Sequence, residues 1–432
     1  MLDKLTAFLD REEKNLIETR RELHQIAEPG WCEYQTTSFI VRFLEKLPAV
    51  VYTGRDVTAE KRMGLPPETT DRFFFEKAEA AGVERELLDR MKGGFTGAVA
   101  VLDTGRPGPA SALRFDIDAL PITEASTDHL PAAEGFASRN EGTMHACAHD
   151  GHTVIGLYTA RFIAEHLDEL TGTFTFLFQP AEEGSRGAEA MVAKGWLDHI
   201  DYFLSGHLGI HDLEAGTVAS GTYQFLATTK LDAYFTGVSA HAGVDPSAGK
   251  NALLAAAAAA ANLQAVAPPR EGITRLNVGR LEAGEGRNII PSSAFMMLET
   301  RGETTELNDY MEKEAKRIIE AAAAMYDVEV TIDTAGKGVA AASGEKTASV
   351  LKGLKGKRMT RVVDPLPLGG SEDAAWMMKR VQENGGEAAY LLYGTKLPYG
   401  HHHPQFDFDE ASLAAAVETL GLLIHHYHRE EH

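Results

Sequence analysis

Four apolar, β-prone runs in this sequence each end on polar residues capable of chemistry. They are "ALRFDID" (112 to 118), "TFTFLFQPAEEG" (173 to 184), "YFLSGHLG" (202 to 209) and "AAYLLYGTKLPYGHHHP" (388 to 404). Runs this apolar suit strands covered on both faces. Helix-like stretches, "HTVIGLYTARFIAEHL" and "GSEDAAWMMKRVQ", lie between or beside them. Strands alternating with helices predict an α/β fold with a mostly parallel sheet, whose ligands collect beyond the carboxyl ends of the strands. Asp116, Asp118, Glu182, Glu183, His207 and one histidine of 401 to 403 are therefore expected to converge.

At 432 residues the chain is too long for one ordinary core. Between residues 225 and 335 its texture changes: "TTKLDAYFTGVSAHAG" and "TRLNVGRLEAGEGRNIIPSSAFMMLETRG" read as strands of a half-exposed sheet, "NALLAAAAAAANLQAV" and "LNDYMEKEAKRIIEAAAAMY" as helices. These predict a compact α+β unit at 225–335, inserted into a larger domain built from 1–224 and 336–432. The alanine run 255–261 is expected to pack closely on a sheet or on another copy of the chain. A further charged insertion, about residues 51 to 95, is read as helical and has no chemical role that the sequence reveals.

The formal net charge of −21 opposes binding to nucleic acid and to anionic membrane. The N-terminus reads as an amphipathic charged helix rather than a signal peptide, and no window approaches eighteen apolar residues. A cytoplasmic protein is expected. Only Cys32 and Cys147 are present, and Cys32, without histidine neighbours, reads as a small buried hydrophobe.

Cys147 belongs to "MHACAHDGH" (144 to 152). Cys147 and His149 are two apart, so they diverge on a helix but can face one side of an extended turn. A cation of the zinc class accepts thiolate and imidazole together. Glu182, Glu183, His207 and His402 would complete a donor set larger than one such ion takes, so two ions are the economical reading. Of the adjacent glutamates, one can bind metal while the other carries a proton from water to a leaving amine. His145, His152, His401 and His403 are weaker candidates, suited to a supporting role. Two rival readings remain at this point: a metal-free cysteine hydrolase with Cys147 as nucleophile, and a metal-binding structural or regulatory subunit.

The motifs "MHACAHDGH", "FQPAEEGSRGAEAMV", "GVSAHAG", "GKNALLAA", "GRNIIP" and "GSEDA", in this order, resemble the two-metal amidohydrolases of the M20 metallopeptidase clan. The resemblance is to its branch of amino-acid-conjugate hydrolases and runs from about residue 15 to the C-terminus. It implies two divalent ions, manganese or zinc, bound by Cys147, His149, Glu183, His207 and His402, with Glu182 as general base and Asp116 supporting the site from a strand end. It further implies that His241 stabilises the oxyanion, often from the neighbouring subunit of a dimer, and that Asn288 and Arg301 hold the substrate's carboxylate end. The inserted unit would be a lid or dimerisation domain. The implied substrate is a small N-acyl amino acid, p-aminobenzoyl-glutamate first and other N-acyl or aryl-acyl conjugates second. The implied assembly is a homodimer, or a heterodimer with a related sister subunit. An acidic protein binding an anionic conjugate needs a local cation, and a guanidinium such as that of Arg301 clasps a carboxylate in two hydrogen bonds. One position departs from the branch, which reads "ACGHD": Ala148 stands where glycine would permit a positive φ.

Overall fold

The computed structural model describes residues 1–429. They divide into two compact units, the first made of residues 1–223, 341–368 and 373 onward, the second of 224–340 with 369–372.

The first unit is built on an eight-stranded sheet in the order Val50–Thr53, Ala98–Asp103, Thr173–Gln179, Ala110–Asp116, Tyr202–Leu208, Glu387–Thr395, Leu213–Ala219, Arg361–Val363. Its four central strands, 173–179, 110–116, 202–208 and 387–395, are mutually parallel. Antiparallel pairs lie outside them. Phe174, Phe176, Leu177 and Phe178 are fully buried, which for side chains of alternating direction means that both faces are covered. Helices Leu2–Gln25, His149–Glu165 and Ala411–His428 pack on one another, and helix Ala374–Glu383 lies against strands 202–208 and 387–395 with Ala188–Ala193 packed on it. Gly421 lets the first and last helices close up, since a Cβ there would stand 2.7 Å from Leu5 Cδ2. Because the central strands are parallel, their carboxyl ends emerge along one edge, and the polar residues of all four runs follow there.

The charged insertion opens as a strand, not a helix. "VVYT" (50 to 53) pairs antiparallel with Ala98–Asp103, as β-branched and aromatic residues favour, and helices Glu68–Ala80 and Arg85–Met91 follow.

The second unit is a four-stranded antiparallel sheet ordered Glu329–Gly338, Ala227–Thr236, Ser293–Gly302, Thr274–Ala283, with helices Ala252–Leu263 and Thr305–Met325. Strand 329–338 carries the unit past residue 335, where the sequence suggests its end. Along 293–302 buried and more open residues alternate, as a sheet covered on one face requires. Asn251 and Thr304 cap the helices, accepting the Leu254 and Leu307 N–H groups. Within the alanine run, Ala255, Ala256 and Ala259 are buried against this unit's own sheet and second helix. Among the described residues no helix is long and apolar enough to cross a membrane.

Candidate metal centre

Local backbone geometry comes first. Ala148, at the N-terminal boundary of helix His149–Glu165, has φ 63°, the left-handed conformation that favours glycine. This turn lets Cys147 and His149 address the same acidic segment. Cys147 lies in ligand range of Glu183 and His402, and His149 of Glu182 and Glu183, with candidate donor atoms within 4.8 Å of one another. Ala181 (φ 53°) and His402 (φ 64°) are also left-handed, so strained backbone gathers around the site.

The histidines are sorted by which nitrogen is spent. His149 Nδ1 lies 2.9 Å from the Asp118 carbonyl oxygen and 3.2 Å from Asp118 Oδ1. A carbonyl can only accept, so Nδ1 carries a proton, while Nε2 is buried with no hydrogen-bond partner among the described residues. His207 repeats the arrangement: Nδ1 donates to the Leu208 carbonyl at 2.7 Å, which leaves Nε2 facing Cys147 Sγ at 3.4 Å. His152, though close to both, has no lone pair left, because Nδ1 bonds Asp116 Oδ1 at 2.6 Å and Nε2 accepts the Leu208 N–H at 2.9 Å. His401 Nε2 accepts the Ile210 N–H at 3.2 Å, although its ring lies in range of Cys147 and His207. His402 Nε2 is 3.5 Å from Glu183 Oε1, an oxygen otherwise without a hydrogen bond. His403 stacks on Tyr399 and accepts the Gln405 N–H, and among the described residues His145 is buried with both nitrogens unbonded and belongs to none of the donor groups.

The supporting network is denser than the sequence indicates. Besides orienting His149, Asp118 accepts the N–H groups of Glu182 (3.1 Å) and Glu183 (3.0 Å), so one buried carboxylate fixes two elements of the site. Asp116, expected to support the metals, bonds His152 Nδ1 through Oδ1 at 2.6 Å, while Oδ2 accepts from Arg114 Nη1 at 2.8 Å and stands 3.8 Å from His149 Nε2. Arg114 also bonds Gln179 and Asp373, and Asp373 accepts the N–H groups of Gly187 and Ala188 beyond the acidic segment. Buried Glu33 accepts the Ala181 N–H. Asp150 joins Arg20 and His24 at 2.8 Å each, tying the N-terminal helix to the helix that begins at His149. The spacing in "DID" places Asp116 and Asp118 on one face, and "GSEDA" contains Asp373, but nothing local marks Glu33 or Arg20.

The electrostatics suit a cation. Burial, reinforced by Glu183, pushes the Cys147 thiol well up. Burial also raises Glu183 to about 7 and lowers His207 and His402. His149 is held well above its usual value by Asp116 and Asp118 against the pull of burial, so a proton competes for the place that a metal takes. A divalent ion reverses this balance, holding thiolate and carboxylate ionised. The orphaned His149 Nε2 and Glu183 Oε1, beside a thiol and unprotonated imidazole nitrogens, fit such a group.

The remaining candidates belong to the second unit. His241 bridges to Ile289, its Nδ1 accepts the Gly243 N–H, and the Ala242 N–H donates to the Asn288 carbonyl, so His241 and Asn288 stand exposed on paired segments. Arg301 reaches both oxygens of Glu299, at 2.9 and 3.2 Å, two residues away on the same strand face.

The model of peptidase family M20/M25/M40 matches residues 112–426. The chain is 48% identical to indole-3-acetyl-aspartic acid hydrolase of Enterobacter agglomerans, covering 93% of each chain. It is 45% identical to one subunit of the p-aminobenzoyl-glutamate hydrolase of Escherichia coli K12, covering 97% of each. An aminobenzoyl-glutamate utilization protein from Klebsiella pneumoniae superposes with a TM-score of 0.82 at 40% identity, over 97% of this chain and 98% of that one. A Bacillus subtilis dinuclear metal-binding peptidase of the M20 family gives 0.63 at 25% identity, over 98% and 99%. Fold and similarity agree, and the chain belongs to the M20/M25/M40 peptidase family as a divalent-metal-dependent amidohydrolase.

Proposed function

We propose that the chain hydrolyses the amide bond of an N-acyl amino acid, with p-aminobenzoyl-glutamate as its first substrate. The observation that carries this reading is the convergence of Cys147, His149, Glu183, His207 and His402, with two orphaned donor atoms among them and Glu182 alongside. Those five residues would hold two divalent ions, which supply acidification of water and polarisation of the scissile carbonyl. The thiolate favours zinc, and the carboxylate and imidazoles also suit manganese.

Glu182 takes the proton from the attacking water and passes it to the departing amine, so that one water and one amide give a carboxylic acid and a free amino acid. The Asp118 carboxylate keeps Glu182 and His149 in register through its bonds to both segments. His241 donates to the carbonyl oxygen as charge develops there. Asn288 and Arg301 bind the carboxylate end of the substrate, Arg301 exchanging Glu299 for it. In this reading the second unit is a lid or dimerisation domain, and the enzyme works in the cytoplasm as a homodimer or with a sister subunit. The partnership is favoured by the name of the Escherichia coli relative, which makes it one subunit of its hydrolase. The 48% identity to an indole-3-acetyl-aspartate hydrolase favours that conjugate as the alternative substrate.

The test uses the purified chain, stripped of metal and resupplied with manganese or zinc, on both conjugates. Release of glutamate from p-aminobenzoyl-glutamate that needs metal supports the reading. Preference for the indole conjugate selects the alternative. Hydrolysis that survives complete metal removal overturns the metal assignment and returns Cys147 to consideration as a nucleophile.

A further inference from the structure

The insertion at 51–95 takes no part in the site described so far, yet one of its loops is fastened to it. Trp31 Nε1 donates to the Met63 carbonyl at 2.9 Å. Arg186 Nη1 donates to the Gly64 carbonyl at 3.0 Å while its Nε donates to the Glu183 carbonyl at 2.6 Å. A single side chain therefore bridges the loop to the acidic segment. Gly64 has φ 56°, which turns its carbonyl to meet Arg186, and Gly30 leaves the guanidinium room, since a Cβ there would lie 2.3 Å from Nη2.

Arg62 pins the other side. Its Nη atoms donate to the Gly94 and Gly93 carbonyls at 2.6 and 3.0 Å, and its guanidinium lies 3.6 Å from the centre of the Phe95 ring. The stretch thus belongs to no helix or strand but is anchored at three successive residues, Arg62, Met63 and Gly64. What it presents is apolar: Leu65 is 50% exposed and Met63 partly exposed. Leu65 is thus a half-exposed leucine on a fixed loop, one residue from the strut to Glu183.

We infer that Met63 and Leu65 form the wall that receives the acyl group of the substrate and set a preference for large apolar or aromatic acyl groups. The apolar character of the wall selects this end of the conjugate. Arg62 spends both Nη groups on backbone carbonyls, so its charge is held by the protein, and what Met63 and Leu65 present is apolar surface. Partial burial of one leucine against an aromatic acyl group amounts to about tenfold in substrate selection. The inference rests on the amidase reading above and adds the residues that discriminate between acyl groups.

The experiment compares p-aminobenzoyl-glutamate with N-acetyl-glutamate, which share the amino acid and differ in the acyl group, in the metal-loaded full chain. Leu65→Ala is expected to raise KM for the aryl conjugate about tenfold with kcat nearly constant, and to leave N-acetyl-glutamate unchanged. Leu65→Gln, which keeps the length and removes the apolarity, should do the same, and thermal unfolding of both variants should match the wild type because residue 65 is half exposed. Equal effects on both substrates, or none on either, overturn the inference while the wild-type rates leave the amidase reading intact. A wild-type chain that hydrolyses neither these nor other N-acyl amino acids overturns the amidase reading, and the inference falls with it.

Discussion

The candidate residues of the two units are held in opposite ways. In the first unit His149 is fixed by Asp118, His207 by a backbone carbonyl, and the Glu182–Glu183 segment by Asp118 again, in largely buried surroundings, with His402, its side chain 53% exposed, as the exception. In the second unit His241 and Asn288 are exposed, and Arg301 is held by a glutamate that is itself partly exposed. A cation needs lone pairs aimed before it arrives, so its donors are over-determined. Groups that meet a substrate must be able to release what they hold now, and an exposed ion pair contributes so little that releasing it costs little.

The sharpest way to break this contrast is Glu182→Gln. It should lower kcat by about 10²- to 10⁴-fold, with metal content unchanged by elemental analysis. Loss of metal in the same variant would make Glu182 a ligand and end the division of labour between the two glutamates.

Stability should separate the units next. Arg20 is fully buried among Asp150, Asp407 and Glu410, so Arg20→Met strands buried carboxylates and should cost about 3–5 kcal/mol in denaturant unfolding. Glu299→Gln, which breaks the half-exposed pair with Arg301, should cost less than about 1 kcal/mol. Similar costs would remove the distinction. Arg301→Met should leave stability alone and raise KM for an acidic conjugate by about tenfold or more, the worth of a charge-assisted pair of hydrogen bonds. An unchanged KM would take Arg301 out of the substrate site.

A pH effect of smaller size tests the buried network again. Burial pulls His24 down, but hydrogen bonds to Asp150 and Glu124 outweigh it and raise its pKa above 6.5. The native state therefore holds this proton more tightly than the unfolded state. The stabilisation is complete below the unfolded value and drains away as pH rises through the higher native one. The Tm difference between wild type and His24→Gln should accordingly narrow from pH 6 to pH 9, and a widening difference would mean that the ring is neutral in the fold. The smallest effect belongs to Ala148→Gly, which relieves a left-handed alanine and should stabilise the chain by about 0.5–1 kcal/mol without moving the ligands.

Much of this was legible in the chain itself, for physical reasons that also mark the limits. Uniformly apolar strands reveal themselves because both faces are covered, and their parallel order brings Asp116, Glu182, Glu183 and His207 to one edge. Ala148 announces itself as the residue where glycine is expected, and its φ of 63° is the conformation that glycine would relieve. The edge strand at 50–53 hides within a charged insertion because four residues are too few to show a period. Asp118 reads as one more carboxylate, since its bonds to residues 31, 64 and 65 positions away arise only when the sheet closes. The pairing of Arg301 with Glu299 was written in "LETR" at strand spacing, yet the same letters fit an arginine waiting for substrate.

The position of strand Glu387–Thr395 has a consequence for biosynthesis. It fills the gap between Tyr202–Leu208 and Leu213–Ala219, strands that leave the ribosome long before it. Meanwhile the second unit, whose four strands pair only among themselves, can finish folding. The growing chain thus carries one completed module beside an open seam, and its donor set lacks an imidazole until residue 402 is made. Metal capture as proposed here is a late event in the life of each molecule, timed by the same strand that zips the large sheet shut.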